Sequence, residues 1–117
     1  MSDLKWGLVS TIKAPLRDVL GFAAYHLQRG AHRLYIYLDA PDAQTFAALK
    51  AHPKVRVTNT DAAYWAKKGT RPDKHQARQT INAADAYAKR VEVDWLTHID
   101  HDEFLAWDIA LDRQLAA

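Results

Sequence analysis

The sequence contains no cysteine, which excludes disulfides and thiolate metal sites and leaves the cellular compartment open on that ground. Glycine and proline are sparse, four of each in 117 residues, and no internal repeat, low-complexity tract or linker interrupts the chain. Neither sign of charge dominates. Lysine and arginine total 16 against 14 aspartate and glutamate, and a net charge of +2 is too small to imply nucleic acid as a partner. A long apolar run is also missing: the opening "MSDLKWGLVSTIKAP" is neither a signal peptide nor a membrane span. A cytoplasmic location is the default expectation. What is present, 49% hydrophobic and 26% charged residues, is the composition of an ordinary globular chain of one domain at most.

Apolar runs alternate with helical patterns along that chain. "WGLVST" (6–11) reads as a strand closed by Pro15, and Leu16, Val19, Leu20, Ala23 and Leu27 then recur at helical spacing up to Gly30. "RLYIYLD" (33–39) is a second strand, "AQTFAALKAH" a weak helix and "KVRVTN" a third strand. The polar stretch "TDAAYWAKKGTRPD" reads as a loop. Asp73 with Gln76 is expected to cap the next helix, with Ala77, Ile81, Ala84 and Ala88 as its buried side. "DWLTHID" (94–100) is the fourth strand. Strands separated by helices predict an α/β architecture with a mainly parallel sheet.

Ligands of such sheets gather outside the carboxyl ends of the strands. The polar residues fall there: Thr11 and Lys13 at the first strand, Asp39 at the second, Asp61 at the third, Asp100 and Asp102 at the fourth. His98, Asp100 and Asp102 share a parity, so both carboxylates can face one point. Carboxylates that close repel, and a hard divalent cation such as Mn²⁺ or Mg²⁺ relieves the repulsion and can bridge a diphosphate. A solvated acidic turn, or a helix N-terminus favoured by its dipole, accounts for the same residues. Both readings stay open on the residues alone. "HIDHD" could also offer mixed nitrogen and oxygen ligands to zinc or iron, although parity puts His101 opposite the two aspartates.

Taken in order, "VSTIKAPLRDVLGFAAYHLQRGAHRLYIYLDAPD", "DAAYW", "RPDKHQARQTINA" and "DWLTHIDHDEFL" resemble the amino-terminal part of family 2-type glycosyltransferases, in the subgroup with an H-I-D-x-D-E element. The resemblance runs from about Gly7 to Leu105. It implies a GT-A (Rossmann-like) fold, a UDP- or GDP-sugar donor, transfer to an acceptor glycan or lipid hydroxyl, and Mn²⁺ or Mg²⁺ held by Asp100 and Asp102. By the same resemblance Asp39 meets the donor's nucleoside, Thr11 and Lys13 belong to the first nucleotide-contacting loop, Asp61 lies near the base, and Arg78 and Asn82 form the R-x-x-x-N before the metal strand. Without the resemblance, the stripe His75, Arg78, Asn82, Asp85 and Lys89 reads as a solvent face.

Two departures stand out. The turn "DAPDAQT" lacks the asparagine and glycine of many relatives, which leaves Asp42 without an assigned role. After the D-x-D only "AWDIALDRQLAA" follows Leu105, and Glu103, Asp108 and Asp112 do not match the family's catalytic base. The sheet is therefore expected to look truncated after the D-x-D strand, with a donor-binding half, an open edge and self-association. A binding-only donor module is one alternative. Another is a metal-dependent nucleotidyltransferase, against which the glycine-free "STIKAPLR" counts. Trp65 could stack a base or anchor its loop. Trp6, Trp95 and Trp107 read as core or edge aromatics, and His26, His32 and His52 as surface residues.

Overall fold

The runs rich in Val, Ile, Leu and Tyr form strands because branched and aromatic side chains pack on a pleated surface. The computed structural model describes residues 4–89 and 92–100. In chain order the elements are β1 (Trp6–Ile12), α1 (Leu16–Gln28), β2 (Arg33–Leu38), α2 (Ala43–Lys50), β3 (Val55–Asn59), α3 (Ala62–Lys68), α4 (His75–Ala88) and β4 (Trp95–His98). The four strands make one all-parallel sheet in the order β3-β2-β1-β4. Successive crossovers through α1 and α2 build outward from β1 to β3. The chain then returns through α3 and α4 and lays β4 on the opposite side of β1, so the order reverses between β1 and β4.

Every residue of β1 is buried, as a strand with neighbours on both sides and helices on both faces requires. Trp6, Leu8 and Ile12 point to one face with Leu34, Ile36 and Leu38, where Val19, Phe22 and Ala23 of α1 and Leu49 of α2 cover them. Val9, Tyr35, Tyr37 and Leu96 point to the other, packed against Ala86 of α4 with Tyr64 and Ala83 beside them. Each such fully buried aliphatic side chain stabilises the fold by about 1.5–3 kcal/mol. Gly7 sits where β1 passes close to β2: a Cβ there would lie 2.8 Å from the carbonyl oxygen of Arg33 and 3.1 Å from Val93 Cγ1. Gly30 ends α1 with φ +100°, a conformation that glycine adopts without strain.

Four helical expectations are corrected. The polar stretch after Asp61 is not a loop throughout: Ala62–Lys68 is helical, Asp61 Oδ1 accepts from Tyr64 N at 2.9 Å as its cap, and Trp65 is buried on it. Trp65 is thus an anchor rather than an exposed stacking platform. In α4 the cap position is Lys74 with no side-chain hydrogen bond, in place of Asp73 with Gln76. Its buried residues are Arg78, Asn82 and Ala86, so the helix turns inward the middle of the stripe that polarity alone assigns to solvent, with His75 and Lys89 at its ends exposed, while Ala84 and Ala88 are exposed. In α1 the buried stripe is Val19, Phe22, Ala23 and His26, and Leu20 is 40% exposed. His26 is a core residue whose ring Nδ1 lies 2.9 Å from the Phe22 carbonyl oxygen; burial pushes its pKa below the ordinary histidine value. Trp95, on the outer strand, is 47% exposed.

Candidate functional site

Side-chain parity decides what meets at the carboxyl edge of the sheet. Val9 and Thr11 on β1, Tyr35 and Tyr37 followed by Asp39 on β2, and Leu96 followed by His98 and Asp100 on β4 alternate in step. Thr11, Asp39 and Asp100 all engage α4 from this edge. Arg78 Nε donates to Asp39 Oδ1 at 2.8 Å and Arg78 Nη2 to Asp39 Oδ2 at 3.1 Å. One turn on, Asn82 Nδ2 donates to Thr11 Oγ1 at 2.9 Å and its Oδ1 accepts from Tyr64 Oη at 2.6 Å. Between them in sequence, Gln79 Nε2 donates to Asp100 Oδ1 at 2.7 Å. The helix reads the ends of three strands with three polar contacts.

The Asp39–Arg78 pair is buried, with side-chain exposures of 3% and 10%. Burying both charges carries a desolvation cost that only full hydrogen bonding offsets. That bonding is present: besides its two bonds to the carboxylate, the guanidinium donates from Nη1 to the carbonyls of Pro72 at 2.9 Å and Asp73 at 2.8 Å. A second guanidinium and an imidazole stand close. Arg71 Nη2 lies 3.9 Å from Asp39 Oδ1 and His75 Nδ1 lies 3.8 Å from Asp39 Oδ2. One carboxylate therefore sits among two guanidinium groups and an imidazole, an arrangement with positive charge in excess and suited to an anionic ligand.

A second polar cluster fixes α3 against α4. Asp85 accepts from Tyr37 Oη and Lys68 Nζ, each at 2.6 Å, and pairs with Lys89 at 2.9 Å. Burial pushes its carboxyl up, but the bonds from Lys68, Tyr37 and Lys89 outweigh burial and hold it at about 2. The Tyr37 and Tyr64 hydroxyls are raised above the ordinary tyrosine value, first by burial and then by the neighbouring Asp85 carboxylate, so both stay protonated.

On the opposite face of the edge an open cleft of about 400 Å³ runs between the ends of β1 and β2, with Lys13, Ala14, Pro41 and Asp42 on its walls. Lys13 is exposed there. Asp42 stands at the cap position of α2 without a side-chain cap bond and accepts instead from Thr45 Oγ1 at 2.5 Å. Asp61 is exposed and committed to capping α3, apart from the Asp39 group. Of the expected metal ligands, Asp100 is exposed just past β4, where its Oδ1 accepts from Gln79, and its carboxylate is of the hard donor type that Mg²⁺ and Mn²⁺ take. Asp102, together with His101, Glu103, Trp107, Asp108 and Asp112, lies outside the described residues. Among the described residues no group of three or more side chains that could hold a metal comes together.

Arg71, Gln79 and Tyr64 are site residues that sequence reading missed. For Arg71 a signal existed: the following Pro72 biases it to extended backbone and opposes helix at that point. Comparison of the sequence with models of known protein families, with curated proteins and with solved structures finds no match. The chemistry of this edge is therefore read from its own residues. No helix among the described residues is long and apolar enough to cross a membrane.

Proposed function

We propose that the chain is a donor-binding domain of the GT-A type, which holds a UDP- or GDP-sugar at the carboxyl edge of the sheet for transfer of the sugar to a hydroxyl. The observation that carries this reading is the buried Asp39–Arg78 pair at the end of β2, across β1 from the point where strand order reverses, with Arg71 and His75 close by. Open parallel sheets take nucleotides at that point.

Each residue has a task that its chemistry permits. Every Asp39 oxygen keeps a second lone pair after bonding Arg78, and can accept from a ribose hydroxyl or a base N–H. Arg71 and Lys13 supply positive charge for phosphate oxygens from the two sides of the edge. Arg78 and Asn82 hold Asp39 and Thr11 in place from beneath. Asp61 fixes the start of α3 next to the end of β3. Asp100 and Asp102 would hold Mn²⁺ or Mg²⁺, which supplies charge against the diphosphate that leaves the sugar. The domain is read as cytoplasmic.

Titration calorimetry with UDP and GDP, with and without Mn²⁺, tests the reading. Saturable binding in Mn²⁺ that falls at least tenfold in Asp39→Asn is expected. Absence of binding to either diphosphate at millimolar concentration overturns it, and unchanged affinity in a chelator removes the metal from it.

A further inference from the structure

The segment between α3 and α4, residues 69–74, has no regular structure and is exposed at every position but Pro72, which is half-buried. An exposed stretch with few apolar contacts belongs to the least stable part of a fold. Among the described residues the Arg78 side chain bonds its backbone. Arg78 Nη1 donates to the carbonyls of both Pro72 and Asp73, while Nε and Nη2 of the same guanidinium grip Asp39. A planar group with five N–H donors in a fixed fork can face a carboxylate on one side and two carbonyls on another; a lysine ammonium cannot reproduce that geometry. At the other end of the segment, Gly69 has φ +109° and open space where a Cβ would be. Its N–H caps α3 through a long 3.4 Å bond to the Ala66 carbonyl.

We propose that the Asp39–Arg78 pair is a latch that holds the 69–74 segment across the end of β2 as a strap, and that it thereby positions Arg71 at the site. The mechanical part stands on these contacts alone, and only its link to ligand rests on the donor-binding reading. Asp39 is accordingly a positioning residue as well as a ligand acceptor. Arg71 comes within 3.9 Å of it because the strap is held, whereas His75, 3.8 Å away, is placed by the first turn of α4. A nucleoside diphosphate whose phosphates engage Arg71 gives the held strap a further anchor and tightens it.

Strap opening is read on the intact chain by hydrogen exchange of the Ala77 and Arg78 amides, which bond to the Lys74 carbonyl at the end of the segment, and by trypsin cleavage at Lys74–His75, since the Arg71–Pro72 bond resists trypsin. Arg78→Lys and Asp39→Asn are expected to speed both by at least about tenfold while the amides of β1 and β2 keep their protection. In the wild type, the Nε–H of Arg78 is expected to exchange with water at least tenfold more slowly than that of Arg71, a measurement that needs no variant. Equal exchange of the two arginines, or variants with intact β1 and β2 protection and an unchanged strap, overturns the latch. UDP with Mg²⁺ should slow wild-type cleavage at Lys74–His75 further. A latch that behaves as stated without any nucleotide effect supports the latch and counts against the donor-binding reading.

Discussion

Asp85 is the hub that fixes α3 to α4, and its replacement by asparagine is a quantitative test of the polar layer beneath the site. The asparagine side chain keeps the shape and an acceptor for the Tyr37 hydroxyl, but it removes the charge that Lys68 and Lys89 face. A carboxyl held at about 2 rather than its ordinary 3.8, with 17% of the side chain still exposed, stabilises the folded state by about 2 kcal/mol at neutral pH. The sign follows from the lowered value: the contribution is complete above pH 4 or so and is lost as pH falls from there to about 2. Asp85→Asn should lower the urea midpoint by about 1 M at pH 7, given a slope of about 1.5–2 kcal/mol per molar. The gap between wild type and variant should then shrink on acidification and be nearly closed at about pH 2–2.5. Other carboxylates titrate in the same range, but they do so in both proteins and cancel in the difference. Fluorescence of the buried Trp6 and Trp65 reports the transition. Midpoints within about 0.2 M at pH 7, or a gap that stays constant down to about pH 3, would refute the assignment of Asp85 as a stabilising charge.

Asn82→Ala leaves the Tyr64 hydroxyl and the buried Thr11 hydroxyl without the partner they share, and a loss of about 2–3 kcal/mol is expected in thermal or urea denaturation. Gly7→Ala forces a Cβ to within 2.8 Å of a backbone oxygen in the neighbouring strand; a cost of about 1–3 kcal/mol is expected, and a variant as stable as wild type would show that β1 and β2 can separate there. Self-association through the β4 edge, if it occurs, uses the exposed Trp95, so Trp95→Ser should lower the weight-average mass in sedimentation at high micromolar concentration, and an unchanged mass excludes that edge.

The four strands were legible because their composition is decisive: "LYIYL" and "KVRVTN" have few other places to go. Polar residues at the strand ends were legible from period two alone. The face of α4 was not, because pattern reading equates buried with apolar, and this helix buries an arginine and an asparagine that find polar partners inside the fold. The short helix α3 was hidden by its polar flanks, although Asp61 before it and Gly69 after it are the cap residues that mark a helix. Pairings across long sequence separation, such as Asp39 with Arg78 and Asp100 with Gln79, leave no periodic trace. The resemblance to glycosyltransferases singled out Arg78 and Asn82, but the inward turn of their stripe is visible only once α4 is set against β1.

The position of β1 in the middle of the sheet has a consequence for synthesis. Its first partner, β2, leaves the ribosome soon after it, but the strand on its other side, β4, is made roughly ninety residues later. At about 5–20 residues per second, β1 waits on the order of 5–20 s with one edge unpaired. During that interval the unit from β1 to β3 presents the Tyr35 and Tyr37 face without α4 to cover it. A growing chain in that state offers both an open strand edge and an aromatic surface, so this is the stage at which a chaperone has most to hold and at which pairing between neighbouring nascent chains competes with completion of the sheet.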